Sequence, residues 1–158
     1  MPPGARLIRR DPCSVEDYRR LYRDVGAQWY WHDRLEMNDA ELAAVLTQPN
    51  VQVWELEVDG HSAGYFELQR DAEGAVEIVY FGLVAGFMGR GLGKFLLNRA
   101  IEVAAQMGAN RVWLHTCTLD SDRALPNYKA RGFREYRTQR LEVDLEGTQV
   151  VGERLLDD

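Results

Sequence analysis

The pattern of apolar and polar positions along the first fifty residues predicts one short strand and two helices. Residues 6–10 have the character of a strand that a proline soon ends. A serine N-cap, followed by apolar side chains at intervals of three or four residues, predicts a helix over residues 14–27. Asn38 and Glu41 match a capping box, which predicts a second helix over residues 38–48.

The middle of the chain changes to the alternation that is typical of β-strands. Residues 51–58 alternate between apolar and polar side chains, Asp59-Gly60 is a strong hairpin signal, and residues 63–68 return as a second strand. After another turn, residues 76–84 are nearly all apolar. This run predicts a central strand, buried on both faces.

The second half of the chain alternates between helices and strands. A helix is expected from Gly91, a strand over residues 111–118, a helix over residues 121–131 and a strand over residues 133–145, with a last extended piece behind a turn. The resulting order is β-α-α-β-β-β-α-β-α-β-β, a mixed α/β pattern. We expect a single domain that spans residues 1–158.

Composition and charge narrow the functional classes. The chain is 46% hydrophobic and 28% charged, with a formal net charge of −6, so a nucleic-acid backbone is disfavoured as a partner. No apolar stretch is long enough to span a membrane and no signal peptide is evident, so a cytoplasmic location is the expectation. No metal is expected, because the cysteines and histidines show no ligand spacing. They are Cys13, Cys117, His32, His61 and His115.

A glycine-rich segment, residues 86–94, joins the apolar strand to the next helix. Free backbone N–H groups and the helix dipole make such a junction an anion site. The P-loop pattern fails because Met88 replaces its first glycine and Phe95 its hydroxyl residue. The dinucleotide pattern fails because the last three glycines are evenly spaced. A glycine turn without a ligand is the remaining alternative.

Gly91 and Gly93 match the two glycines in the pyrophosphate loop of the GNAT superfamily, Gln/Arg-x-x-Gly-x-Gly/Ala. Further along, residues 124–133 match the closing motif of that superfamily, Ala-x-x-x-Tyr-x-x-x-Gly-Phe. The chain therefore resembles the GNAT N-acetyltransferases over roughly residues 51–133. The resemblance implies a GNAT-type fold, with a central mixed, mostly antiparallel sheet flanked by about four helices.

Two residues depart from the motifs of the superfamily. Met88 stands at the Gln/Arg position, and Ser121 stands where an asparagine often precedes the motif tyrosine. These departures leave room for a second interpretation, in which the domain binds acyl-CoA as a sensor or interaction module without catalysing transfer. A longer acyl donor or an acceptor that is not an amine is a third possibility.

The resemblance implies an acetyl-CoA co-substrate that lies between the strands of residues 76–84 and 111–118. Its acetyl group passes directly to a primary amine on a small molecule or a protein, without an acyl-enzyme and without a metal. The residues implied in binding acetyl-CoA are Gly82, Leu83, Val84, Met88, Gly89, Arg90, Gly91, Gly93, Lys94 and Ser121.

The proton chemistry suggests the catalytic candidates. An amine of pKa about 10.4 must lose a proton, and the departing thiolate must gain one. The motif resemblance makes Tyr128 the acid. Glu77, a carboxylate on an otherwise apolar strand, is the candidate base, and His115 is the second candidate. A packed tyrosine and a paired strand carboxylate are the structural alternatives.

The acceptor side is expected in the segment that follows the first helix. Its aromatic rings suit an ammonium group, and Arg34 suits a carboxylate. The alternative is that the tryptophans only pack a helix–helix contact. The acceptor and the oligomeric state are left open, with a homodimer among the options. The candidate acceptor-binding residues are Trp29, Trp31, Asp33, Arg34 and His115.

Overall fold

A computed structural model describes residues 2–27, 31, 33–115, 124–137 and 140–145, and the structural statements below concern these residues. They form one seven-stranded sheet in the order β1-β2-β3-β4-β5-β7-β6. The strands are β1 (Ala5–Arg9), β2 (Val51–Val58), β3 (His61–Arg70), β4 (Ala75–Leu83), β5 (Arg111–His115), β6 (Arg134–Arg137) and β7 (Arg140–Asp144).

All neighbouring strands pair antiparallel except β4 and β5, which are parallel. Two short 3-10 turns accompany the helices, one before α2 and one between β4 and α3. The helices are α1 (Val15–Gly26), α2 (Asp39–Leu46), α3 (Leu92–Gln106) and α4 (Ala124–Ala130), and the 3-10 turns are Asp33–Glu36 and Ala85–Phe87. None of the helices described is long and apolar enough to cross a membrane.

The predicted mixed α/β fold is confirmed, and its local signals act as the sequence indicates. The Ser14 hydroxyl accepts a hydrogen bond from the Asp17 N–H at 3.0 Å and so caps α1. Asn38 and Glu41 form the reciprocal capping box of α2. Each of these caps satisfies N–H groups that a helix leaves without partners at its first turn.

One predicted strand is wrong. Residues 133–145 were expected to form a single strand, but β6 and β7 are two antiparallel strands in which Arg134 pairs with Glu142. The polar stretch between β6 and β7 contains neither glycine nor proline, so no local turn signal separates the two strands in the sequence. The last extended piece and the first three residues of the expected fourth helix lie outside the described residues.

The core lies on both faces of the sheet. Helix α3 buries Leu96, Leu97 and Ile101 against one face, where Phe66 and Phe133 also pack. Helices α1 and α2 cover β2, β3 and β4 on the other face with a smaller apolar cluster. Each fully buried leucine or isoleucine contributes about 1.5–3 kcal/mol of transfer free energy. The two clusters fix the sheet between its helices and so hold β4 in place.

The α1/α2 face also contains a buried carboxylate on β2, Glu55, which is 1% exposed. Arg10 lies 2.7 Å from it and Arg20 lies 3.4 Å from it. Burial raises the pKa of this carboxyl, but the side-chain hydrogen bonds that it accepts, from the two arginines among others, outweigh burial, and the pKa of Glu55 falls below its usual value of 4.5. Glu55 is therefore an ionised, paired group of the fold.

Candidate functional site

Strands β4 and β5 pair over only part of their length. Their parallel pairing runs from Ala75 opposite Arg111 to Ile78 opposite Leu114. The described part of β5 ends one residue later, whereas β4 continues through residues 79–83. On its other side β4 stays paired with β3 as far as Leu83. The second half of β4 therefore presents a backbone edge that no described residue of β5 covers.

A β-bulge lies where this edge begins. Glu67 of β3 is opposite Tyr80, and Leu68 is opposite Ile78, so Val79 is the extra residue of β4. A bulge bends its strand and increases the local twist. The bend begins next to Ile78, the last residue of β4 that pairs with the described part of β5.

The glycine-rich segment follows this edge and leads into α3. Gly91 is the N-cap of α3 in the left-handed conformation, with φ of 76°, and no described side chain caps the helix. The N–H groups of Leu92, Gly93 and Lys94 therefore point out of the first turn without helix partners. Gly89, with φ of 79°, turns the loop just before them. The local backbone is a ready anion cradle.

Two cations lie at this end of α3. Lys94 is in the first turn and Arg90 precedes the N-cap, with its guanidinium 5.3 Å from the centre of the Phe87 ring. Cations at a helix N-terminus are disfavoured by the helix dipole, so their presence favours an anionic ligand there. The backbone edge of β4, the N–H groups at the start of α3 and these two cations together suit a long ligand that has an amide-rich arm and a pyrophosphate.

Tyr128 of α4 packs behind the same part of β4. It is 5% exposed, and its ring centre lies 6.1 Å from that of Phe81 and 6.0 Å from that of Phe133. The neighbouring Asn127 donates a hydrogen bond to the Gly93 carbonyl at 3.1 Å. This bond ties α4 to the first turn of α3, so Tyr128 and the anion cradle are held in one unit.

Glu77 lies on the opposite face of β4, just before the bulge. Its Oε2 is 3.7 Å from His115 Nδ1, and the His115 ring is edge-on to the Trp113 ring at 5.4 Å. Parallel pairing brings Glu77 opposite Trp113, and His115 follows on the same face. The sheet thus brings together the two side chains that the sequence offered as alternative bases.

Trp31, the described aromatic residue that follows α1, packs on β4 as well as on α1. Trp31 lies 5.5 Å from Tyr22 and 5.2 Å from Tyr80, measured between ring centres. A Cβ on Gly82 would lie 3.6 Å from the tip of the Trp31 ring and 2.5 Å from Val25, so only glycine fits there. Residue 31 therefore borders the open edge of β4.

The other acceptor candidates take different positions. Asp33 is exposed on the 3-10 turn, whereas Arg34 is largely buried and its Nη2 lies 2.6 Å from Glu67 Oε2. The guanidinium of Arg34 also lies 5.3 Å from the centre of the Tyr80 ring. The aromatic cluster already holds a cation of this chain. Trp29 and Ser121 lie outside the described residues.

Glu67 was not among the sequence-derived candidates. It is 1% exposed and accepts a hydrogen bond from the Tyr18 hydroxyl at 2.5 Å. Burial raises the pKa of its carboxyl more than Arg34 and Tyr18 lower it, and the charge of Glu77 raises it further. A carboxylate amid Tyr65, Phe66 and Leu68 was a visible signal of the same kind that selected Glu77.

The comparisons with known proteins agree with this fold. The model of the Acetyltransferase (GNAT) family matches residues 16–133. The uncharacterised N-acetyltransferase Rv2669 of Mycobacterium tuberculosis is 31% identical over 122 residues, which cover 76% of this chain and 78% of that protein. The chain belongs to the GNAT acetyltransferase family and is an acetyl-CoA-dependent acetyltransferase.

Solved structures show the same fold at low sequence identity. PaiA N-acetyltransferase from Thermoplasma acidophilum, in complex with coenzyme A, has a TM-score of 0.63 at 16% identity and covers 88% of this chain and 99% of its own. The aminoglycoside acetyltransferase meta-AAC0020 from an uncultured soil sample, in complex with sisomicin, has a TM-score of 0.62 at 16% identity. It covers 80% of this chain and 86% of its own.

Proposed function

We propose that this protein transfers the acetyl group of acetyl-CoA directly to a primary amine, within one domain that spans residues 1–158. The observation that carries the proposal is the open backbone edge of β4, which leads straight into the anion cradle of α3. A pantetheine arm has amides to pair with such an edge, and a pyrophosphate matches such a cradle. No step of this transfer needs a metal or an acyl-enzyme.

The proposed position of acetyl-CoA follows the chain from β4 to α3. The pantetheine pairs with the backbone at Gly82, Leu83 and Val84. The pyrophosphate accepts hydrogen bonds from the N–H groups of residues 89–94, and Arg90 and Lys94 offset its charge. Met88, in the Gln/Arg position of the motif, donates its backbone N–H to the Ala85 carbonyl at 3.3 Å and so helps to shape the turn before the cradle.

The transfer itself divides between the two faces of β4. The amine nitrogen attacks the thioester carbonyl carbon, the C–S bond breaks, and the thiolate takes a proton from Tyr128. Glu77 accepts the proton that the amine loses. Deprotonation of a lysine-like amine at pH 7 costs about 5 kcal/mol. The two groups lie on opposite faces of the sheet, so one thioester reaches both only where β4 and β5 part.

Calorimetric titration of acetyl-CoA into the folded protein tests the central claim. We expect saturable binding with a Kd of roughly micromolar order, or about −8 kcal/mol. The bound protein is then assayed for acetylation of an alkyl diamine, an aminoglycoside, an amino-acid ester and a lysine peptide. A sample that is folded by circular dichroism but takes up no acetyl-CoA contradicts the proposal. Binding without turnover on any amine favours the sensor interpretation instead.

The choice of base is tested by removing Glu77 and His115 separately. We expect Glu77→Gln to lower kcat about a hundredfold, because the amine then loses its proton acceptor. His115→Gln, the matched control on the neighbouring strand, is expected to change kcat by only a few-fold. If the large loss of kcat follows His115→Gln instead, the base is His115.

A further inference from the structure

Glu67 and its partners form a buried charged cluster beneath β4. The Glu67 carboxylate is paired with the Arg34 guanidinium at 2.6 Å and accepts a hydrogen bond from the Tyr18 hydroxyl at 2.5 Å. The Tyr65 hydroxyl in turn donates to Tyr18 at 3.2 Å. Burial raises the pKa of the Tyr18 hydroxyl, and so does the charge of Glu67, so this hydroxyl stays protonated and remains a donor. Both oxygens of Glu67 therefore have partners.

The cluster joins three elements that meet over β3 and β4. Tyr18 belongs to α1, Glu67 to β3, and Arg34 to the 3-10 turn Asp33–Glu36. In the sheet Glu67 is directly opposite Tyr80, the first residue of β4 after the bulge. Arg34 reaches over the Tyr80 ring to make its ion pair. One buried ion pair thus fastens the turn to β3, with the Tyr80 ring of β4 beneath the guanidinium.

The segment fastened in this way lies beside the proposed transfer site. Trp31, three residues before Arg34, packs on Tyr80 and approaches Gly82. The backbone N–H of Arg34 donates to the Tyr22 hydroxyl at 3.3 Å, which adds a second tie to α1. A shift of this turn would move Trp31 and Tyr80 on the face of β4 where Glu77 lies, and would leave the α3 cradle untouched.

Glu55 provides a comparison for Glu67, because it is a second buried carboxylate on the same face of the sheet. It is as deeply buried as Glu67 and is also paired with arginines, but those partners lie at the end of β1 and in α1. A buried ion pair is weak evidence for stability, because desolvation offsets much of its attraction. The two carboxylates differ in the segments that their arginines belong to: Glu67 holds the 3-10 turn Asp33–Glu36, whereas Glu55 holds α1 and the end of β1.

We propose that Glu67 is a positioning residue for the acceptor: through Arg34 it fixes the turn Asp33–Glu36 and the Trp31 and Tyr80 rings beside the transfer site. This inference rests on the proposed function, since it takes that face of β4 as the acceptor side. Arg34 accordingly acts as an internal cation that neutralises Glu67 and fills the aromatic cluster. The acceptor amine then binds nearer to Glu77 than to these rings.

Glu67→Gln tests the inference, with Glu55→Gln as the matched control. For Glu67→Gln we expect the acceptor KM to rise about tenfold, measured with the amine of the panel that is acetylated fastest, while kcat changes much less. The calorimetric Kd for acetyl-CoA stays the same. Amide hydrogen exchange of residues 33–37 becomes faster, a readout that needs no acceptor. Glu55→Gln shifts the melting temperature but alters neither the KM nor the exchange of this segment.

A second pair of variants guards against misfolding of Glu67→Gln. Arg34→Lys keeps the charge but loses the planar fork and ring stacking, so it is expected to raise exchange and KM less than Arg34→Ala does. The inference is overturned if Glu67 and Arg34 variants leave the exchange of residues 33–37 as it is in the wild type. Failure of the proposed function shows differently, as wild-type protein that does not bind acetyl-CoA.

Discussion

Replacing Tyr128 by phenylalanine is expected to lower kcat at least about a hundredfold while acetyl-CoA still binds. The ring is packed between Phe81 and Phe133 and is 5% exposed, so a phenylalanine ring keeps these contacts and removes only the hydroxyl. Without that hydroxyl the departing thiolate must take its proton from water. The measurement is steady-state release of the CoA thiol, at saturating amine and acetyl-CoA.

Two controls separate the chemistry of Tyr128 from its packing. The melting temperature of Tyr128→Phe is expected to stay within a few degrees of the wild type, because the volume of the side chain is nearly conserved. The calorimetric Kd for acetyl-CoA is expected to stay within a few-fold of the wild type. A variant that keeps its wild-type kcat would show that Tyr128 only packs. A variant that loses acetyl-CoA binding as well would place its role in holding α4 on α3.

Replacing Gly91 by valine is the change expected to affect acetyl-CoA binding most. Gly91 has φ of 76°, and a β-branched residue in that left-handed conformation costs about 1–2 kcal/mol. A Cβ at Gly91 meets no atom within 4 Å, so the strain is in the backbone itself. The N-cap relaxes by turning the first N–H groups of α3 away from the pyrophosphate. We expect calorimetry to show affinity for acetyl-CoA lowered at least about tenfold.

The same loop offers a matched control for that variant. Gly86 also has open space around the position of a Cβ, but its φ lies outside the left-handed region. Gly86→Ala is therefore expected to bind acetyl-CoA as the wild type does. If Gly91→Val binds acetyl-CoA as well as the wild type does, the pyrophosphate does not bind at the first turn of α3, and the glycine-rich segment is a turn without a ligand.

The sequence predicted those parts of the fold whose causes are local. The serine cap of α1, the capping box of α2 and the hairpin turn at Asp59-Gly60 each depend on residues within four positions of one another. The glycine-rich segment and the tyrosine motif could also be recognised in the sequence, because each is a contiguous segment. The order of helices and strands followed from these signals.

Features that depend on distant pairing were not predictable in this way. Arg34 suited an acceptor carboxylate until the fold placed it against Glu67, thirty-three positions away in the chain. The proximity of Glu77 and His115 arises from parallel pairing, whose register no local pattern specifies. The bulge at Val79 is hidden in a uniformly apolar run, where an extra residue leaves the pattern unchanged. These three features shape the candidate site.

The edge of β4 that the described part of β5 leaves uncovered has a consequence for the protein without bound acetyl-CoA. Unpaired strand edges are templates for association with other chains. In most sheets they occur only at the outermost strands, where charged residues and prolines prevent such pairing. Here no described residue of β5 covers the edge, which belongs to an apolar strand in the interior of the sheet. In the proposed complex the pantetheine arm plays the part of a missing strand. Bound acetyl-CoA would then protect the enzyme from association, and a shortage of acetyl-CoA would leave this strand edge available for pairing with other chains.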